Sequence, residues 1–193
     1  MTTATALKTA ETHHPRKRSD ARAEFLWGLF VTAMEGGIGY WSVTTEYRQY
    51  TKESLAANRA ARKADLSVSR YDGLVDDYHG FEAHVADCED WADARDRLID
   101  THRDLVSLDQ SIVAYLRKRG LLHRVTIETI ARGVSLISKG GTTVKAVKQA
   151  FVLNPHSTRL IREASRENDA AGPDADDADS ILQAGVFGAV VYG

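Results

Sequence analysis

The chain has 193 residues, of which 43% are hydrophobic and 27% charged, and its formal net charge is −2. These fractions are typical of a globular protein, and the charge disfavours a general nucleic-acid binder, which needs excess Lys and Arg to neutralise phosphates. The chain has one cysteine, Cys88, which favours a reducing compartment. Because no run approaches the ~20 apolar residues of a membrane span, we expect a cytoplasmic protein with no membrane partner.

The first third of the chain predicts a tail, a helix and a strand. Residues 1–18 are polar, lack a hydrophobic period and end in a basic run, so they predict a disordered basic tail. Ser19 or Asp20 can cap a helix whose apolar residues recur at helical spacing until Gly36-Gly37. Residues 41–47 then alternate in the way that is typical of a strand.

The middle of the chain predicts a second strand between helices. Residues 53–65 are rich in alanine and basic residues, which indicates either an exposed basic helix or a mobile insertion, and residues 71–80 indicate a loop. Residues 81–87 alternate again and predict a second strand. Residues 91–119 keep one apolar face throughout, so we expect one long helix there.

The last third predicts further helices and a short terminal strand. Thr126 can cap a helix that ends at Gly140-Gly141, and Asn154-Pro155 can begin a helix that runs to Glu167. Further elements are predicted as a helix at 142–151, a helix at 176–187 and a strand at 189–192. We therefore expect an α+β fold: a mainly helical single domain over residues 19–193, with a small antiparallel sheet of two to four strands.

Glu35 is the candidate catalytic residue. It occupies the last turn of the first predicted helix, where the negative end of the helix dipole disfavours an anion. The adjacent Gly36-Gly37 permits close approach of another group, and Tyr40-Trp41 follows. A carboxylate beside bare backbone and aromatic rings can bind a ligand or act as a general base. The alternative is that Glu35 is exposed or paired with an arginine.

Two groups of acidic and histidine residues are candidate metal ligands. Carboxylates are dense from Glu167 onward, and Asp169, Asp176 and Asp179 are candidate ligands of Mg²⁺ or Ca²⁺, since both ions take oxygen ligands. The alternative is that these acids cap the last helix and favour its positive end. The second group, which has no close fourth ligand, comprises His79, His84, Asp87, Glu89 and Asp90.

Several segments resemble a family of small proteins from phages of actinobacteria. The resemblance covers residues 25–41, with Glu35-Gly36-Gly37 and Tyr40-Trp41, a stretch at 123–133 that is similar to the family's middle helix, and blocks at 168–170, 176–179, 183–188 and 191–193. It implies a phage protein made inside a bacterial host, and it implies that residues 91–120 are a helical insertion. The positions that it marks are Glu35, Trp41, Asn168, Asp169, Asp176, Asp179 and Gln183.

The leading hypothesis is a phage accessory protein that binds a host or defence factor, or a nucleotide-like ligand. Its predicted ligand-binding residues are Glu35, Tyr40, Trp41, Tyr47, Asn168 and Gln183. The alternative is a metal-assisted enzyme acting on a nucleotide or nucleic acid, with Glu35 as base and Asp169, Asp176 and Asp179 holding Mg²⁺. A third hypothesis, which the net charge disfavours, is nucleic-acid binding through the basic tail and through Arg59, Arg62 and Lys63.

Overall fold

The computed structural model describes residues 18–101, 104–140, 153 and 155–192. Within these ranges the fold is mainly helical with a small antiparallel sheet, which confirms the predicted α+β class. The elements in chain order are α1 Asp20–Gly36, β1 Ser42–Arg48, α2 Lys52–Ala64, β2 Glu82–Asp87, α3 Cys88–Leu98, α4 Leu105–Arg119, β3 His123–Thr126, α5 Ile127–Ser138, α6 Pro155–Glu167 and α7 Ala175–Phe187. The predicted helix at 142–151 and nearly all of the predicted tail lie outside the described residues.

The described strands form one antiparallel sheet in the order β1-β2-β3. His84 in the central strand lies opposite Glu46 on one side and Arg124 on the other. The register shifts between Thr44 and Glu46, so β1 carries a bulge with one extra residue, Thr45. The bulge divides the regular alternation that the sequence predicts for β1. Strand β3 has only four residues, two of them basic or histidine, and the sequence did not predict it.

The main core lies between the inner face of the sheet and helices α1, α5 and α7. Helix α1 begins where the Ser19 hydroxyl accepts a hydrogen bond from the Arg22 amide, at 3.3 Å. It buries one continuous stripe of large apolar side chains, as its spacing predicts. Across the sheet, Ala83, Val85 and Val125 are fully buried against this core. The polar side chains of β2 are therefore left on the opposite face of the sheet.

Helices α3 and α4 form a hairpin with a small core of its own. This second cluster comprises Ala86 from the sheet with Ala94, Leu108, Ile112 and Leu116. The prediction of one helix over 91–119 is wrong, because a 3₁₀ turn at Ile99–Thr101 ends the first half. Asp104 then caps α4 by accepting a hydrogen bond from the Ser107 amide, at 2.8 Å. The apolar period of the two halves is the same, so it did not reveal the break.

Two glycines permit α5 and α7 to pack backbone against backbone. A Cβ atom at Gly133 would lie 1.9 Å from the Ile181 carbonyl oxygen, and one at Gly185 would lie 2.3 Å from the Thr129 carbonyl oxygen. Only glycine fits such a crossing. After α7 the predicted terminal strand does not form: of residues 189–192, Val190 takes part in a single bridge and the next two have no strand structure. Across the described ranges, every helix is too short or too polar to span a lipid bilayer.

Candidate functional site

A buried carboxylate of α7 joins this helix to the residues that follow α1. Asp179 in α7 is 6% exposed, and it accepts hydrogen bonds from the Trp41 indole at 2.7 Å and from the Tyr40 hydroxyl at 2.8 Å. The Gln183 amide also donates to it, at 2.8 Å. We name this group, together with Tyr192, the buried aspartate cluster. It brings together three predicted ligand-binding residues, Tyr40, Trp41 and Gln183, and one predicted metal ligand, Asp179.

Within the buried aspartate cluster, Gln183 binds the backbone that follows α7. Its side-chain oxygen accepts from the amides of Val191 and Tyr192, both at 2.8 Å, and its nitrogen donates to the Tyr192 carbonyl at 3.1 Å. The Tyr192 ring stacks on Trp41 with centroids 5.4 Å apart and planes 7° apart, and its hydroxyl donates to Asp87. The Gln183 side chain thus satisfies backbone groups that a terminal strand would pair with a neighbouring strand, which explains why that strand is absent.

The hydrogen bonds within the buried aspartate cluster give its residues a structural role in the fold. The Tyr40 ring is 57% exposed, yet its hydroxyl is bonded within the cluster. Burial, followed by the hydrogen bond to Asp179, raises the pKa of Tyr40 to about 12. Every polar side-chain atom named here has a partner in the chain, so the predicted ligand-binding role of these residues stays a prediction.

Glu35 lies beside Tyr47, outside the buried aspartate cluster. It is exposed at the end of α1. The Tyr47 hydroxyl donates to the Gln49 side chain at 2.5 Å, and burial together with the charge of Glu35 raises the pKa of Tyr47. The structure thus joins two predicted ligand-binding residues, Glu35 and Tyr47. It does not place Glu35 against Trp41, and its role as a base stays a prediction.

The predicted magnesium ligands do not meet. The Asp169 carboxylate accepts from the Ala171 amide at 2.9 Å in a local turn, while Asp176 is exposed in the first turn of α7 and Asp179 belongs to the buried aspartate cluster. No three His, Cys, Asp or Glu side chains in the described ranges form a metal-binding group. Asp174 caps α7 by accepting from the Asp177 amide at 2.9 Å, which is the capping alternative.

Asn168 also lies apart from the other predicted ligand-binding residues. It follows α6 with a left-handed backbone, φ 56°, a conformation that asparagine tolerates better than most residues. Its side-chain oxygen accepts from the Arg22 guanidinium at 3.2 Å, and the same guanidinium donates to the Ser165 carbonyl at 2.9 Å. Asn168 therefore helps to fasten α6 to α1.

A charged cleft opens on the outer face of the sheet, at a place that the sequence did not single out. Its volume is about 330 Å³. We define the charged cleft by the residues that line it: Glu46, Tyr47, Arg48, Lys52, Glu82 and His84. Strands β1 and β2 supply five of these side chains, and the first residue of α2 supplies the sixth.

The charges of the cleft are partly paired and leave an excess of cations. Glu82 accepts from Arg124 at 2.7 Å, and this bond lowers the pKa of Glu82. Glu46 lies 3.6 Å from Arg117 and 2.9 Å from His84 Nδ1. Arg117 and Arg124 lie outside the lining of the cleft and pair with its two carboxylates, so the cations that line it, Arg48 and Lys52, are left in excess.

One cation of the charged cleft is open to a ligand. Lys52 is exposed and takes part in no ion pair among the described residues. His84 Nδ1, by contrast, is buried 2.9 Å from a Glu46 carboxylate oxygen, so it belongs to a contact within the chain. An exposed cation without an ion pair at a cleft indicates a binding site more strongly than a fully bonded cluster does.

The alternation of β1 and β2 was the signal that could have revealed the charged cleft. It placed Glu46 on one face of β1 and Glu82 and His84 on one face of β2. What the sequence lacks is the pairing register, which the bulge at Thr45 sets. Only with that register does His84 fall opposite Glu46, with Arg48 next to Glu82.

No known protein family, curated protein or solved structure matches the chain. The resemblance to the phage family stays a prediction for that reason, and a functional conclusion rests on the residues described above.

Proposed function

We propose that the chain is a binding protein: a phage accessory protein that acts inside the bacterial host by holding a nucleotide-like anion in the charged cleft. The phage context comes from the resemblance of the Glu35–Trp41 region and the region after Asn168. The choice of ligand comes from the charges of the cleft. The observation that carries the proposal is the excess of cations around a concave surface that is large enough for a small ligand.

The phosphate and the polar groups of a nucleotide have matching groups in the charged cleft. Lys52 and Arg48 offer positive charge to a phosphate, and Lys52 has no competing ion pair among the described residues. The Glu46 carboxylate can accept hydrogen bonds from the hydroxyl and amine groups that a nucleoside carries.

The same geometry favours binding over metal-assisted catalysis. The enzyme hypothesis required Asp169, Asp176 and Asp179 to converge near Glu35. Asp179 is instead committed to Tyr40 and Trp41, and Asp169 to its own turn. A binding cleft needs no such convergence.

A host or defence protein is the second kind of partner that the resemblance implies. Such a protein would reach the charged cleft with an acidic or phosphorylated side chain, because the excess charge there is positive. A free nucleotide that binds the cleft should therefore compete with that partner.

The test is the thermal stability of the purified chain with nucleoside mono-, di- and triphosphates. A ligand that binds only the folded state at a dissociation constant of roughly 10 μM, present at roughly 1 mM, stabilises it by about 2.7 kcal/mol. We expect at least one of the nucleotides to raise the melting temperature. Lys52→Glu should weaken its binding about tenfold, which corresponds to about 1.4 kcal/mol.

The matched control is Lys118→Glu, because Lys118 is an exposed lysine of α4 that does not line the charged cleft. It changes the net charge by the same amount, so it should leave the affinity within about twofold. If no nucleotide raises the melting temperature, or if Lys52→Glu and Lys118→Glu lower the affinity equally, the proposal is wrong.

A further inference from the structure

Helix α2 and the loop at residues 65–76 form a separate projection, which we name the α2 arm. The side chains that α2 buries are two polar ones, Ser54 and Asn58. The Asn58 amide donates to the carbonyls of Ser69 at 3.0 Å and Asp72 at 2.7 Å, and the Ser54 hydroxyl accepts from the Val75 amide at 3.1 Å. The helix is therefore held to its own loop by hydrogen bonds, without a hydrophobic core between them.

The α2 arm exposes large apolar side chains and also carries a shallow depression. Leu66 is 94% exposed, and Tyr71 and Val75 are each 57% exposed. The depression has a volume of about 260 Å³, and its lining residues are Ala57, Asn58, Ala61, Val68, Asp72 and Gly73. This is room for one aliphatic or aromatic side chain of a partner.

Two of the four acids of the α2 arm accept hydrogen bonds within the arm, whereas three of its cations have no ion pair among the described residues. The Asp65 carboxylate accepts from the Ser67 amide and hydroxyl, both at 2.8 Å, and Asp72 accepts from the Ser69 amide at 2.9 Å. The bonds from Ser67 lower the pKa of Asp65. In contrast, three exposed cations take part in no ion pair within the described ranges: Arg59, Arg62 and Lys63.

Arg62 lies at the rim of the depression. It follows Asn58 by one helical turn and is adjacent to Ala61, and both of these residues line the depression. On the loop side, the Arg70 guanidinium lies over the Tyr71 ring, 4.7 Å from its centroid. Positive charge therefore borders the depression on its helix side, while the charged residue in its loop lining is Asp72, whose carboxylate is bonded to the Ser69 amide.

We infer that the α2 arm binds an acidic segment of a partner protein, which inserts one apolar side chain into the depression. Unpaired cations attract the carboxylates of such a segment, and the depression buries its apolar side chain. The depression is what favours a protein segment over a nucleic acid, since phosphates contact the cations but have no apolar group to fill it. The depression shares no lining residue with the charged cleft.

The test is fluorescence anisotropy with three labelled probes on the full chain. The first probe is a 12-residue peptide, which in an extended conformation is roughly long enough to cross the α2 arm. It has Asp and Glu at most positions and one central leucine. The second has serine in place of the leucine, and the third is a 12-nucleotide oligothymidylate. We expect the leucine peptide to bind about tenfold more tightly than the serine peptide, because the leucine loses apolar surface to water on binding.

Charge reversal on the α2 arm provides the second measurement. Arg62→Glu should lower the affinity for the leucine peptide at least about fivefold, because it replaces attraction by repulsion at the rim of the depression. Arg97→Glu is the matched control, since Arg97 is likewise an exposed arginine in the last turn of a helix, α3. Circular dichroism of both variants checks that the helices remain folded.

Equal affinities for the leucine and serine peptides would overturn the inference, because the depression would then contribute nothing. Tighter binding of the oligothymidylate than of the leucine peptide would also overturn it, and would identify the arm as a nucleic-acid surface. Equal losses of affinity for the leucine peptide in Arg62→Glu and Arg97→Glu would show that net charge alone attracts it, which contradicts the inference as well.

Discussion

At the residue scale, one carboxylate holds the turn after α1 against helix α7. Asp179 receives three hydrogen bonds, from Tyr40, Trp41 and Gln183, and it is almost fully buried. A buried charge is tolerated only when hydrogen bonds replace its lost hydration. The donors here come from the turn after α1 and from α7, so the charge is stable only when these regions are in contact.

The pKa of Tyr40 reports on this arrangement. The folded chain holds it at about 12, above its ordinary value of 10.0, through burial and through the neighbouring Asp179 carboxylate. Asp179→Asn removes the charge that opposes tyrosinate formation, so we expect the pKa of Tyr40 to fall toward its ordinary value. Ultraviolet titration measures this change, with the Tyr40 signal identified by subtraction of the Tyr40→Phe titration.

The same shift has a consequence for stability at alkaline pH. Because the pKa of Tyr40 is raised on folding, the neutral hydroxyl contributes stability that is complete below pH 10 and is lost as the pH rises toward about 12. Urea unfolding across this window should show a steeper loss in the wild type than in Tyr40→Phe. Tyr71→Phe is the control, since Tyr71 has the same exposure, 57%, outside the cluster. Parallel curves for all three proteins would contradict the assignment.

Sequence reasoning singled out several of these residues as candidate ligand-binding or metal-binding positions, and those roles stay predictions. Trp41, Asp179 and Gln183 attracted attention as motif positions and polar side chains, and the structure brings them into contact. A sequence shows which side chains are polar, but it does not show whether their partners are ligands or other parts of the chain. Glu35 illustrates the opposite limit. The dipole argument explains why an anion is unusual there, and exposure to water removes most of that cost.

At the element scale, the packing of α5 on α7 depends on backbone contact. Gly133 faces the Ile181 carbonyl and Gly185 faces the Thr129 carbonyl, and a Cβ atom at either glycine would overlap these oxygens. The helices therefore approach more closely than side chains larger than hydrogen would permit. The apolar period of each helix predicted a buried face, but it gave no measure of this distance.

Gly133→Ala should be strongly destabilising. The added methyl group would lie 1.9 Å from a backbone oxygen, which a side-chain rotation cannot relieve. Overpacking of a core costs typically 1–3 kcal/mol and more where backbone must move, so we expect a loss of about 3 kcal/mol or greater. Urea denaturation measures it. Gly39→Ala is the control, because a Cβ atom at Gly39 meets nothing within 4 Å. A loss in Gly133→Ala no larger than in Gly39→Ala would contradict this account.

The elements that the sequence located well are those with strong periodicity and good caps. Helix α1 begins after Ser19 and ends before Gly37, as its pattern predicts. Errors arose where a local hydrogen bond overrode periodicity, as at Asp104, which starts a new helix inside an unbroken apolar pattern. The short strand β3 was missed because its pairing with β2, rather than its own composition, makes it a strand.

At the scale of the whole molecule, the described fold has two hydrophobic clusters of unequal size. The larger one joins α1, α5, α6 and α7 to the inner face of the sheet. The smaller one joins α3 and α4 to Ala86 on the outer face. The segment predicted as an insertion, 91–120, overlaps this hairpin, and its being an insertion stays a prediction. A segment with its own small cluster and few large buried side chains is expected to open without unfolding the rest.

Hydrogen exchange should therefore separate the hairpin from the main core. We expect the amides of α3 and α4 to exchange faster than those of α1, α5 and α7. Ile112 is fully buried in the smaller cluster, so Ile112→Ala should remove about 2–5 kcal/mol of local stability and speed exchange in both hairpin helices. Protection in α5 and α7 should change little, since neither helix contributes to that cluster.

Ile130→Ala is the matched control, because Ile130 is equally buried in the larger cluster. It should lower protection in every described element, since the hairpin has no support once the sheet beneath it is lost. If Ile112→Ala lowered protection uniformly, the two clusters would be one cooperative unit, and the hairpin would be an integral part of the fold.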